Sequence, residues 1–205
     1  MLSRTEMKNL LSTYPKPIIL KDLGLYNLRY ADFSRLNLIG VYFDDCELSC
    51  TDFTGAYLKD VSFKCVTASN CIFSRTSIQS ATVNNADLNN AIFSDAEIIN
   101  SNFASTKFVN AKFTNASIMD SSFTNVDFES CDFNYSYLDK ISFTDSVLKF
   151  AILPEITKGQ RVYFINSDVQ GTDYEHISNK QNKANDAVTS EISTITQKTT
   201  VNFIR

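Results

Sequence analysis

The chain has 205 residues, 43% of them hydrophobic and 20% charged, with 19 Lys and Arg against 23 Asp and Glu for a net charge of −4. That length carries one domain with a substantial core. The mild charge excludes a strongly basic nucleic-acid binder and gives no support to a polyanion, and only 5 Gly and 3 Pro exclude a loop-rich or disordered composition.

The first segment, Met1 to Tyr14, has no apolar stretch followed by a small-residue cleavage site, so no secretory signal of the usual kind is expected. Ser3-Arg4-Thr5-Glu6 has the capping-box pattern of a helix start. Met7, Leu10, Leu11 and Tyr14 follow at helical spacing, and Pro15 and Pro17 end the run. The sequence predicts a short amphipathic helix over Ser3–Tyr14, with residues 1–17 serving as an N-terminal cap.

A repeat then begins, and it dictates the fold. Every fifth residue from Leu23 is apolar, through Leu28, Phe33, Leu38 and Phe43 to Leu148 and Leu153, and only Ala68 is small. The residue two places earlier is small in most units, with Asp or Asn often between, as in Ala31-Asp32-Phe33 and Ala86-Asp87-Leu88. A period of five fits neither a helix nor a simple strand. It fits a chain that turns after each short extended piece and points one large and one small side chain inward.

Taken at intervals of 20, the column sorts by chemistry. Phe33, Phe53, Phe73, Phe93, Phe113 and Phe133 form one set; Leu38, Leu58, Ile78, Ile98, Ile118 and Leu138 form another. A third set contains Phe43, Phe63, Val83, Phe103, Phe123 and Phe143. A coil of that length sets like on like, each about 4.7–4.9 Å above the last, and roughly seven coils make a rod about 35 Å long. The register shifts by one after Leu153. Residues 154–161 read as a loop, after which Val162-Tyr163-Phe164, Ser167-Asp168-Val169 and Thr172-Asp173-Tyr174 resume the pattern. Residues 178–205 read as a polar tail or a weak helix on Val188, Ile192 and Ile195.

The unbroken tandem of Ala-(Asp/Asn)-Leu/Phe-x-x units resembles the pentapeptide-repeat family, from about residue 18 to 153 and on to 177. The resemblance implies an all-β fold, a right-handed quadrilateral β-helix (a pentapeptide-repeat solenoid) of about seven to eight coils with a short N-terminal capping helix. It covers residues 18–177, with the loop at 154–161.

Catalytic chemistry finds little purchase. His176 is the only histidine, and no serine or cysteine pairs with it in any recognisable arrangement. Phosphate-cradling glycine loops are missing from the sequence. Asp44, Asp45, Glu47 and Asp52 are the densest acidic cluster and read as a solvated face. Cys46, Cys71 and Cys131 fall at the small inward position as compact apolar filler, whereas Cys50 and Cys65 fall at turns. The 5 Cys lack CxxC spacing, so neither a disulfide framework nor a zinc site is expected. The expectation is a non-enzyme with no cofactor and no metal site.

The surface offers more. Ile39, Tyr57, Ile99, Met119 and Tyr137 flank the aliphatic column and form a candidate partner surface. Ile72 and Ile92 lie one coil apart on the next side. The side carrying Val83, Phe103 and Phe123 exposes only Asn, Ser, Thr and Ala, a pattern that suits hydrogen-bond ladders. The expected function is a noncatalytic protein–protein interaction scaffold. Its Phe-rich, Asn/Ser-rich repeats resemble bacterial effector-type members, which implies a secreted effector or its targeting domain, acting in the cytoplasm or in a host cell. The alternative is modulation of DNA gyrase by DNA mimicry, as in quinolone-resistance members. A protein partner or a homodimer is expected; direct nucleic-acid binding and membrane insertion are not.

Overall fold

The computed structural model describes residues 4–13, 16–20, 22 and 24–174. The tail assigned to 178–205, His176, and the helix ends at Ser3 and Tyr14 lie outside the described residues.

Each corner of the fold is made by one residue in the left-handed backbone region. The φ angle is +60° at Asp45, +53° at Asp60, +61° at Asn70 and +58° at Asn90, and the series continues to +51° at Asp145. Such a backbone costs an ordinary L-residue roughly 1–2 kcal/mol, and less for Asn or Asp, whose short side chains bond locally. Asn, Asp or Ser fill sixteen of the twenty-four non-glycine positions of this kind. The residue two places after each apolar one, most often Asn, Asp or Ser, is therefore what turns the chain.

Between corners the backbone is extended and lies beside the piece 20 residues further on. Phe63 registers with Val83, Val83 with Phe103, and Phe103 with Phe123, all in parallel. Four extended pieces fill that interval, so each coil has four sides, and about seven coils stack into a β-solenoid. We number the sides by their inward residues. The first carries Leu28 and Leu48, the second Phe33 and Phe53, the third Leu38 and Leu58, the fourth Phe43 and Phe63. The third and fourth sides are parallel sheets of 5 and 8 strands. The first and second are held by single bridges, such as Glu47 with Thr67 and Asp52 with Ile72.

The corners differ for a hydrogen-bonding reason. Where the first side meets the second, and the second the third, a tight backbone turn closes, as from the Ala31 N–H to Leu28 O (3.0 Å) and from Ala56 to Phe53 (2.9 Å). At the entry to the fourth and first sides, beyond the first coil, that turn bond is not made, and where the next coil carries a buried serine its hydroxyl accepts the inward N–H. Ser101 Oγ accepts from Ala81 N (3.0 Å), Ser121 Oγ from Ser101 N (3.1 Å), and Ser146 Oγ from Val126 N (3.1 Å). A buried donor must be paired, and a serine in the small inward position does this without adding volume.

Phenylalanine fills the core. On the second side the rings of Phe53, Phe73, Phe93, Phe113 and Phe133 stack at centroid distances of 4.8, 4.7, 4.8 and 4.7 Å. The coil rise thus equals the strand spacing of a sheet. Rings on neighbouring sides meet edge to face, as do Phe43 and Phe53 at 85°, an arrangement favoured by the ring quadrupole.

Both ends are closed. Helix α1, Arg4–Thr13, buries Met7 and Leu11 against the first coil. The strand Ile18–Ile19 pairs with Val41–Tyr42, which sets the fully buried Leu20 beside Phe43. The sequence column placed Leu23 there; that residue lies outside the described ones, and the Leu20 N–H to Tyr42 O bond (3.1 Å) fixes the register instead. At the other end the loop at 154–161 replaces one piece of the third side. Ile156 fills its core position, and Gln160 Nε2 donates to Leu138 O (2.8 Å) in place of a strand N–H. The fourth side then continues as Val162–Ile165, paired with Ile141–Thr144 at an offset of 21, Ile141 to Val162. Tyr174 stacks on Phe164 at 5.9 Å. Its hydroxyl donates to Pro154 O and accepts from Ile156 N, both at 3.0 Å.

Candidate interaction surface

The solenoid leaves two outward columns per side, one on each flank of the inward residue. On the first and second sides the leading column is rich in Asp, and its carboxylates are used locally. Asp32, Asp52, Asp87, Asp127, Asp132 and Asp168 each accept the N–H two residues on, at 2.8–3.1 Å. This bond rigidifies the approach to the corner. The columns are also interrupted: Lys107 stands between Asp87 and Asp127, and Lys112 between Ile92 and Asp132. Among the described residues no continuous acidic stripe runs along either side. Asp44, Asp45, Glu47 and Asp52 are spread over different sides, with Asp44 accepting from Lys64 N (2.9 Å) and Glu47 from Ser49 N (2.9 Å). Among the described residues no group of three or more His, Cys, Asp or Glu is placed to hold a metal ion.

Inward thiols serve packing. Cys71 Sγ donates to Leu48 O at 2.9 Å and Cys131 Sγ to Phe108 O at 2.8 Å. Burial pushes the Cys71 thiol up to about 12 and raises that of Cys131 as well. A protonated thiol is a poor nucleophile. On the fourth side the neutral outward residues form ladders, Ser122 Oγ donating to Asn102 Oδ1 (2.8 Å) and Asn125 Nδ2 to Ser105 Oγ (3.2 Å).

The five residues singled out from sequence all lie on the third side, in two columns. Tyr57 and Tyr137 belong to the leading column, separated by Ser77, Glu97 and Ser117. Ile39, Ile99 and Met119 belong to the trailing column, with Lys59 and Gln79 between Ile39 and Ile99. Ile99 and Met119 are direct register partners. Tyr137 pairs with Ser117 and so lies diagonal to Met119, a separation of about 7–8 Å that an aromatic ring spans. Ile99, Met119 and Tyr137 therefore form one patch, whereas Ile39 and Tyr57 stand apart. Tyr57 is tethered by its hydroxyl to Gln79 Oε1 (3.1 Å). Tyr137 is 48% exposed; the other four are half-buried. Ile72 and Ile92, bridged to each other on the second side, are also half-buried.

Sequence reasoning missed Tyr135, which is 84% exposed and sits at the corner between the second and third sides with φ +59°. It extends the Met119–Tyr137 patch around that edge. Phe150, also at a corner, lies over Gly171, where a Cβ would fall 2.5 Å from its ring. The signal was readable: an aromatic residue occupies a position that most often holds Asn, Asp or Ser.

The family model for pentapeptide repeats (8 copies) matches residues 27–64, and that for the pentapeptide repeat region matches residues 66–143. No curated protein matches the chain. Among solved structures, a trypsin-treated form of QnrB1, a plasmid-mediated fluoroquinolone resistance protein, is similar at 18% identity over 77% of this chain and 86% of that one, with a TM-score of 0.45. Rfr23 from the cyanobacterium Cyanothece 51142 is 17% identical over 60% and 95%, with a TM-score of 0.40. HetL from Nostoc sp. strain PCC 7120, a protein involved in heterocyst differentiation regulation, is 12% identical over 84% and 94%, with a TM-score of 0.26.

Proposed function

The chain belongs to the pentapeptide-repeat family, and from that premise we propose that it is a noncatalytic scaffold that binds a protein partner on its third side. The observation that carries this reading is the contiguous patch of Ile99, Met119 and Tyr137, continued at the corner by Tyr135. Ile99, Met119 and Tyr137 are held on hydrogen-bonded strands, and Tyr135 stands at the corner beside them. A partner that covers them gains apolar burial without having to order the surface it meets. Glu97 and Asp139 lie beside the patch in the same strands and supply a polar rim.

We assign the scaffold to the bacterial effector type, as a secreted effector or its targeting unit, acting in the cytoplasm or in a host cell. The basis is the resemblance of its Phe-rich, Asn/Ser-rich repeats to that group. DNA mimicry toward gyrase is the weaker reading, because Lys107 and Lys112 break the acidic columns that a mimic of a phosphate backbone requires. Affinity capture from bacterial and eukaryotic lysates, run in parallel with wild type and with Ile99→Asp/Met119→Asp, tests the proposal. Retention of a defined protein by wild type and its loss in the folded double variant is expected. Retention of gyrase, or a captured set unchanged by the substitutions, would refute it.

A further inference from the structure

At the N-terminal end of the rod, α1 and the first coil leave a cleft of about 890 Å³ between them. Three cations line it: Lys8 on α1, Lys16 just before the first strand, and Arg35 on the first coil. Among the described residues no acidic side chain lines the cleft. None of the three makes an ion pair with any described residue; what sets them apart is that they converge on one cleft. A cleft whose described lining carries three cations and no acid, in a chain of net charge −4, is a local reversal of the molecule's overall charge.

The cations are also positioned. Lys16 runs its aliphatic stem along Gly40, 3.4–3.7 Å from where a Cβ would stand, and Arg35 places its Cγ 3.5 Å from the corresponding point on Gly55. Both glycines occupy corners, at φ +64° and +65°. The two long stems thus run close past the corners of the first two coils, which brings their charged ends to the same end of the rod as α1. The buried Leu11 and Leu36 and the half-buried Ile39 give the cleft an apolar wall.

We propose that this cleft docks an acidic peptide segment of a partner protein, its carboxylates on Lys8, Lys16 and Arg35 and an apolar side chain against Leu11, Leu36 and Ile39. Charge complementarity selects the chemistry, and shape selects a peptide. The cleft follows α1 from Thr5 to Ser12, about 10 Å at the helical rise, which fits an extended segment of about three residues. Burial lowers the Lys16 ammonium from its ordinary value, a cost that an arriving carboxylate offsets. The inference rests on the reading of the rod as an interaction scaffold but uses a different surface.

Fluorescence anisotropy with a fluorescein-labelled peptide of alternating Glu and Leu tests it, with a Lys/Leu peptide of the same pattern as control. The acidic peptide is expected to bind wild type. Lys8→Glu/Arg35→Glu, shown by its thermal melt to be folded, should weaken it roughly tenfold or more and bind the basic peptide instead. Lys16→Gln should weaken it without inverting the preference. Absence of binding to wild type, binding unchanged by charge reversal, or displacement of the peptide by equimolar inorganic phosphate would overturn the proposal. Ile99→Asp/Met119→Asp is expected to leave peptide affinity unchanged. Loss of binding in that variant would place the peptide on the third side, overturning the cleft while leaving the scaffold reading intact.

Discussion

Phe93 is the residue on which the stacked core can be tested most sharply. It is 2% exposed, lies between Phe73 at 4.7 Å and Phe113 at 4.8 Å, and meets Phe108 edge-on at 5.8 Å. Phe93→Ala removes the ring from both interfaces that its coil makes. Replacement of a buried Phe by Ala costs about 3–5 kcal/mol, and the upper end applies because flanking coils cannot collapse along a rod whose rise is set by backbone hydrogen bonds. In a chain of this size each kcal/mol moves the melting temperature by about 2–4 °C, so a drop of about 10–15 °C is expected. Urea unfolding followed by far-UV circular dichroism gives the free energy directly, provided the slope stays constant. Phe93→Leu, which keeps most of the volume, should lose less than half as much. A Phe93→Ala loss under about 1 kcal/mol, or equal losses in the two variants, would refute the stacked-ring core.

Other consequences rest on single side chains. Ser62 Oγ is buried without a hydrogen-bond partner among the described residues, so Ser62→Ala should leave stability unchanged or raise it by up to about 1 kcal/mol, read from the urea midpoint. Tyr135 holds a left-handed corner while its ring is exposed; Tyr135→Gly should stabilise by about 0.5–1 kcal/mol, and a loss of stability would show that the ring packs on something. The Cys71 thiol is raised from 9.0 to about 12, so the unfolded chain ionises it first. Stability from this group is complete below about pH 9 and falls as pH rises toward 12, by about 1.4 kcal/mol per unit. Cys71→Ala should flatten that part of the urea-midpoint profile relative to wild type, and an unchanged slope would count against burial of the thiol.

Much of this fold could be read from the chain because its core repeats at a fixed step. Phe33 to Phe133 recur at a constant interval, and stacking in register follows from that interval alone. The small inward residues were legible as a class but their chemistry was not. Ser101, Ser121 and Ser146 looked interchangeable with Ala91 or Ala111, because the difference lies in which corners close a backbone turn, a property of the coil and not of the pentapeptide. The start of the column failed for a similar reason: strand pairing, not spacing, puts Leu20 beside Phe43. On the surface, columns could be assigned to sides but not to neighbours. Ile99 and Met119 meet; Lys59 and Gln79 separate Ile39 from them, and Ser77, Glu97 and Ser117 separate Tyr57 from Tyr137. Tyr135 was passed over since corner positions were read as turn chemistry only. The N-terminal cleft combines residues of a helix with residues of a coil some thirty positions on, a juxtaposition no local pattern encodes.

The coil of 20 residues is the claim from which every surface assignment descends, and thiol bridging tests it directly. Cys65 is exposed at a corner, and its N–H bonds to Asn84 O (2.9 Å) in the neighbouring coil, which sets it beside Asn85. In a Cys50→Ser background, dibromobimane, which fluoresces when it links two adjacent thiols, should bridge Cys65 to the thiol introduced by Asn85→Cys. It should not bridge Cys65 to one introduced by Ser80→Cys, which lies on another edge of the rod. Bridging from position 80 and not from position 85 would contradict the four-sided coil and every surface read from it.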